Sequence, residues 1–258
     1  MRNILAKFKR FTPLLGELVV RDVKTKYRRS VLGVLWTILN PLLMMIVLSI
    51  VFSHLFKFDI DNYPIYLLSG QVIFNFFSLS TTMCMSTIID NAPLIKKVYV
   101  PKYMFVLSRT ISGAINLLAS LAALIIVMLF TRAELHYTAI LSVLPLVSLI
   151  ILSLGVSLIL ATCVVKFRDI MHLYSVFTTA LMYLTPVIYP MESLPLWVKK
   201  VVMANPITSI LIMFRDFMMY GTMPEWPIVL MATVPSILFL LVGLIVFYRN
   251  QDEFILYV

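Results

Sequence analysis

Apolar residues in this chain gather into long runs broken by short polar punctuation. A helix needs about 20 mostly apolar residues to cross the hydrocarbon of a bilayer. Six stretches meet that length: 33–56, 65–89, 104–130, 139–165, 170–189 and 227–248. Between the last two, residues 190–226 are apolar but punctuated by Pro190, Pro195, Pro206, Gly221 and Pro224. The two pieces 194–204 and 207–220 are each too short to span, and the second carries Arg215 and Asp216. They predict a helical hairpin that dips into the outer half of the membrane, with Asn205-Pro206 at its turn. A seventh span is the competing reading.

Two polar segments carry helical pattern as well. Ahead of the first span, Leu14, Leu15, Leu18, Val19, Val23 and Tyr27 recur at mostly helical spacing, with Glu17, Arg21, Lys24 and Arg28 on another side. Asp22 and Lys26 interrupt the apolar face. An amphipathic helix lying at the membrane surface fits this pattern; so does a plain basic anchor that sets topology. The longest internal loop, DNAPLIKKVYVPKY at 90–103, mixes apolar and basic residues, with Pro93 and Pro101 bracketing a short segment. It fits either a short helix offered to a soluble partner or a solvated connector.

Composition makes the bilayer reading firm. Of 258 residues, 61% are hydrophobic and 13% charged, against about 45–50% apolar and about 25% charged in soluble domains. The net charge of +9 raises the question of nucleic acid. The basic residues sit beside the spans, however, where they meet anionic lipid, so membrane lipid and not nucleic acid is the expected contact. With the N-terminus inside, cytoplasmic segments hold 16 Lys and Arg and outer segments hold 5. Both termini are therefore expected in the cytoplasm, in a multi-pass membrane protein. Cys84 and Cys163 lie in apolar runs and read as packing residues. The first thirty residues are broken by charge and predict no cleavable signal peptide.

Candidate chemistry is defined first by what is missing. None of the seven glycines precedes a lysine, so there is no phosphate-binding loop of the Walker type. No Asp or Glu lies inside the six stretches, and His54, His136 and His172 fall near their ends. Ion-coupled carriers place such groups at mid-membrane. No HExxH, GxSxG or paired-carboxylate pattern occurs, so no catalytic residue and no metal site is expected. Aromatic and amide residues remain: Trp36 and Asn40; Gln71, Phe74, Asn75, Phe76 and Phe77; Tyr174, Phe177, Tyr183 and Tyr189; Trp197 and Tyr220. Rings that stack and amides that hydrogen-bond suit a sugar chain. The same residues also suit interfacial belts and ordinary packing.

Five stretches in order, KYRRSVLGVLWTILNPLLMM at 26–45, YLLSGQVIFNFFS at 66–78, NAPLIKKVYVPKYMFVLS at 91–108, KFRDIMHLYSVFTTALMYLTPVIYP at 166–190 and NPI at 205–207, resemble the ABC-2 family of transporter permeases. The resemblance is to the branch that exports O-antigens, teichoic acids and capsule-like polymers. It implies an all-α polytopic fold: an N-terminal interface segment, 1–32, and a six-helix transmembrane domain, 33–258, with a re-entrant hairpin between spans 5 and 6. It implies a homodimer with two cytoplasmic ATP-binding subunits that carry the ATP and Mg, no cofactor in this chain, and a lipid-linked glycan moved through a central channel lined in part by spans 1 and 5. A coupling helix falls at 91–99 and an outer gate at 191–226. The candidate residues that follow are Trp36, Asn40, Phe74, Phe76, Phe77, Tyr174, Phe177 and Tyr183 for the path. Arg21, Lys24, Lys26, Arg28 and Arg29 fall to the lipid diphosphate, and Asn91, Pro93, Leu94, Lys96, Lys97 and Tyr99 to ATPase coupling. A permease for a drug or small lipid shares this frame; an ion-coupled carrier does not.

Overall fold

The computed structural model describes residues 2–27, 32–55, 60 and 62–257; side chains are described for these except 2–10, 26–27, 34 and 52–55. Among the described residues every regular element is helical. The order is α1 (Arg2–Tyr27), α2 (Trp36–Leu55), α3 (Tyr63–Met85), two single turns α4 (Thr87–Asp90) and α5 (Ala92–Ile95), then α6 (Tyr103–Phe130) and α7 (Val143–Lys166). There follow α8 (Ile170–Tyr183), α9 (Leu196–Met203), α10 (Pro206–Arg215), α11 (Trp226–Asn250) and a last turn, α12 (Phe254–Tyr257).

Among the described residues four helical stretches are long and apolar enough to cross a membrane: α3, α6, α11 and Tyr137–Lys166, which is α7 with the 3-10 turn before it. A fifth joins them if the pair Leu196–Met203 and Pro206–Tyr220 is one span, but that pair is bent by 92°. Helix α2 has 20 residues, of which Trp36–Val51 are apolar and described with side chains. The 14 residues of α8 reach only about 21 Å at 1.5 Å per residue, less than the hydrocarbon thickness of about 30 Å.

The early end of α8 has a local cause. Thr185 precedes Pro186, and a residue before proline is pushed out of the helical region, while proline itself has no N–H to donate. The chain unwinds after Tyr183, six residues before the boundary that hydrophobicity predicts (189 against 183). The hairpin turn lies where Asn205-Pro206 places it. The Asn205 side chain accepts from the Ile207 amide at 3.0 Å and donates to Thr185 Oγ1 at 3.0 Å, fixing the start of α10 against the unwound segment.

The bundle has two distinct ends. At one, Leu15 and Leu18 of α1 share a core with Ile88, Val100, Phe105 and Phe254, so the helix before the first span and the C-terminal turn pack together. At the other, the Tyr63 hydroxyl donates to the Ile188 carbonyl at 3.0 Å and Tyr66 to that of Tyr189 at 2.9 Å. The Thr138 hydroxyl reaches the Phe217 carbonyl there at 2.8 Å. The chain therefore enters the α9–α10 hairpin and leaves it at the same end, with the αL residue Gly221 (φ 66°) closing the exit turn.

Helices α7 and α11 form the most extensive pair, and they meet backbone to backbone at Gly155 and Gly243. A Cβ on Gly155 would lie 2.5 Å from the Phe239 carbonyl carbon and closer still to the Leu240 amide. Main chain cannot rotate away as a side chain can. Gly155→Val is expected to cost about 3 kcal/mol or more by overpacking, read as a lower melting midpoint of the detergent-purified protein, whereas Gly16→Val, where a Cβ meets nothing within 4 Å, leaves it nearly unchanged.

Candidate functional site

At the end where α1 packs, the sequence pattern hides its most informative residue. Asp22 interrupts an apolar face in the sequence, yet it lies four and seven residues from Leu18 and Leu15, on the same side of α1, and is 6% exposed. A carboxylate placed there needs cations. Arg21 supplies one at 3.0 Å and Arg109 of α6 another at 3.5 Å. Ser108 Oγ faces the same carboxylate at 3.5 Å. Arg21 also donates to Asn91 Oδ1 at 2.9 Å, and Arg109 lies 3.9 Å from Asp90. One charge network thus ties α1, the 87–95 turns and α6.

Asn91 is buried and donates back to the Thr87 carbonyl at 2.7 Å. Beyond it, helix covers only Ala92–Ile95 of the 91–99 segment. Pro93, Lys96 and Lys97 face outward with Tyr99, which is 87% exposed, while Leu94 packs on the core below. The C-terminal turn joins this surface. Lys102 donates to the Gln251 carbonyl and lies over the Phe254 ring at 5.6 Å; burial pulls its pKa below the usual lysine value. Lys166 pairs with Glu253 at 2.7 Å. Of the headgroup candidates, Lys24 is exposed and Arg21 is engaged as above. Arg28 and Arg29 lie outside the described residues, as does the side chain of Lys26.

The path candidates separate into four groups. Trp36 and Asn40 line a groove of about 840 Å³ between α2, α3 and α6. Phe74 and Tyr183 line a smaller one, about 320 Å³, between α3 and α8. Phe76 and Phe77 are inside the main core. Tyr174 is buried, its hydroxyl donating to Thr81 at 2.8 Å, with its ring 5.9 Å from that of Phe177, which is itself exposed. The two grooves share Asn75, Ser78 and Thr82 of α3, and among the described residues no charged side chain lines either.

At the opposite end, Arg215 is 4% exposed. Its guanidinium donates to the carbonyls of Pro186 (2.8 Å), Tyr66 (2.9 Å) and Val187 (3.2 Å) and to Ser69 Oγ (3.1 Å), and it lies 3.4 Å from the centre of the Tyr66 ring. Counted from sequence as an outer-segment charge, it is instead the pin between α10, α3 and the unwound end of α8. Neither Asp22 nor Arg215 was singled out by motif. The signal for each was a charge inside an otherwise apolar helical face, which is costly unless partnered.

Among the described residues, a helical bundle with four helices long and apolar enough to span, and a charged platform at one end, defines a polytopic membrane protein. The chain belongs to the ABC-2 type transporter family, whose sequence profile matches residues 13–219. It is 28% identical to an O-antigen export system permease protein of Klebsiella pneumoniae over 243 residues, 93% of each chain. To the protein of that description in Myxococcus xanthus it is 28% identical over 258 residues, 98% of each. The polysialic acid transport protein KpsM of Escherichia coli is 24% identical over 242 residues, 92% of each.

Two substitutions probe the charged groups. Asp22→Ala leaves Arg109 without its buried partner, at a cost of about 3 kcal/mol; limited proteolysis of the purified protein is expected to cut α1 faster, and Asp22→Arg with Arg109→Asp to restore part of the protection. Arg215→Lys removes the planar fork that serves several acceptors at once. It is expected to lower the melting midpoint nearly as far as Arg215→Met.

Proposed function

We propose that this chain is the membrane-spanning subunit of an ABC transporter that exports a lipid-linked cell-surface polysaccharide across the cytoplasmic membrane. The observation that carries the reading is similarity over 92–98% of the chain to proteins named for O-antigen export and polysialic acid transport. Among the described residues the trough has no charged lining side chain; this agrees with a substrate that offers hydroxyls, and is the observation that favours it over a charged small solute. ATP and Mg belong to a separate ATP-binding subunit, two of which serve a homodimer of this chain.

Six spans are α2, α3, α6, α7, α8 with its unwound extension, and α11; the α9–α10 hairpin is re-entrant. This reading is supported by the shared packing of both ends of the chain and by the hairpin's entry and exit at one end. The distribution of Lys and Arg supports cytoplasmic termini.

The mechanism follows from the platform. Arg21, Lys24, Lys26, Arg28 and Arg29 draw the lipid diphosphate, each basic residue near the surface contributing about 1 kcal/mol. Closure of the ATPase pair on ATP pushes the exposed face of 91–99, through Pro93, Lys96, Lys97 and Tyr99. Asn91 and Leu94 pass that push inward, Asn91 through Arg21 to Asp22 and Arg109, so that α1 and α6 shift with the loop. The seam between copies opens, the glycan passes along the trough past Trp36, Asn40, Phe74, Phe177 and Tyr183, and the α9–α10 hairpin closes the exit. Phe76, Phe77 and Tyr174 support that wall from behind.

Deletion of the gene is expected to abolish surface polysaccharide and leave lipid-linked polymer inside the cell, with the wild-type gene restoring export; undiminished surface polymer would sink the proposal. Lys96→Glu with Lys97→Glu is expected to lower co-purification of the ATP-binding subunit or uncouple its hydrolysis from export. Normal export with normal assembly would remove this loop from the coupling role.

A further inference from the structure

The second span carries a polar stripe that the aromatic reading leaves unused. On α3, Asn75, Ser78 and Thr82 stand at intervals of three and four residues, so they share one face. Asn75 and Thr82 are exposed and Ser78 is half-buried. Among the described residues none of the three side chains makes a hydrogen bond. One turn earlier on the same stripe, Gln71 is 4% exposed and its Oε1 meets no donor among those residues.

Such a row does not belong against lipid. An unmade hydrogen bond costs roughly 1–3 kcal/mol in a protein interior and several in hydrocarbon, where water offers no substitute. Three on consecutive turns of one span therefore face water or a polar ligand. The surroundings define that ligand. The stripe is the shared floor of both grooves, with Trp36 and Asn40 on one wall and Tyr183 on the other. Among the described residues no charged side chain lines the grooves, so none of them rewards phosphate or carboxylate. A hydroxyl both donates and accepts, and an amide does so in one plane; a polyhydroxyl chain matches both. Because each contact is neutral and interchangeable with the next, the chain can advance without breaking a strong pair.

We propose that Asn75, Ser78 and Thr82 form a rail on the second span along which the hydroxyl groups of the exported sugar chain slide, with the aromatic residues as side walls. This rests on the polysaccharide-export reading, and its test separates the two. In the assembled transporter with Cys84 and Cys163 replaced by alanine, single cysteines at 75, 78 and 82 are exposed to a hydrophilic, membrane-impermeant maleimide. All three are expected to label, at rates at least about tenfold above a cysteine at Leu238, an exposed apolar position on α11. In cells, Asn75→Leu with Ser78→Ala and Thr82→Val is expected to cut polymer export at least about tenfold at unchanged membrane abundance and ATPase co-purification, with Asn75→Gln retaining most of it.

Thiols that stay unlabelled overturn the rail, because the stripe is then buried. Wild-type export by the apolar triple variant overturns it too. A wild-type transporter that exports no polysaccharide while all three thiols label overturns the export reading and leaves a water-lined path standing.

Discussion

Backbone that leaves a helix inside a membrane must find partners for the carbonyls it frees, because hydrocarbon supplies none. In this protein that requirement is met by Arg215. A lysine would place three donors around one point, whereas the guanidinium spreads five in a plane. It reaches Tyr66 on α3 and both Pro186 and Val187 on the unwound end of α8. The cation is stabilised by carbonyl dipoles and the Tyr66 ring, and the carbonyls by the cation. The hairpin follows from this contact, since α10 carries the arginine and α9 is tethered to it through Asn205. Without it, neither the short α8 nor the 92° bend would have an interior to rest against.

The two ends of the bundle solve the same problem differently. At the hairpin end a single buried charge is satisfied by main chain. At the other end two charges of opposite sign, Asp22 and Arg109, face each other across two elements and lean on Arg21, Asn91 and Asp90. The first arrangement tolerates little displacement, because the acceptors belong to a fixed backbone. The second is a set of ion pairs at 3.0–3.9 Å with partly exposed members, which can re-form after a shift of a side chain. The hairpin end is therefore the stiffer of the two.

Hydrophobic periodicity made most of the helices legible. Predicted stretches at 104–130 and 227–248 match α6 and α11 within one or two residues, because long apolar runs leave a chain no other way to satisfy its backbone in lipid. The hairpin was legible from Asn205-Pro206 and the short pieces around it. The end of α8 was not, since a hydropathy run reports solvent preference and is blind to the break before Pro186. Site residues divided along the same line. The aromatics stood out by type, yet Phe76, Phe77 and Tyr174 are buried in packing. The polar stripe at 75, 78 and 82 is visible only as a helical face, with no single residue unusual. Asp22 read as a flaw in an amphipathic pattern because its partner, Arg109, is 87 positions away in sequence (109 − 22).

The glycine contact between α7 and α11 has a mechanical consequence. Two helices that touch through backbone at Gly155 and Gly243 cannot slide or roll past one another, since any displacement drives main-chain atoms into overlap. They form a stator. On the proposed export reading, motion that opens a route is left to the helices around that pair, above all to α2 and α8, whose side chains line the grooves. On that reading the work done at the platform is not spread over the whole molecule: it falls on two moving walls set against a fixed post.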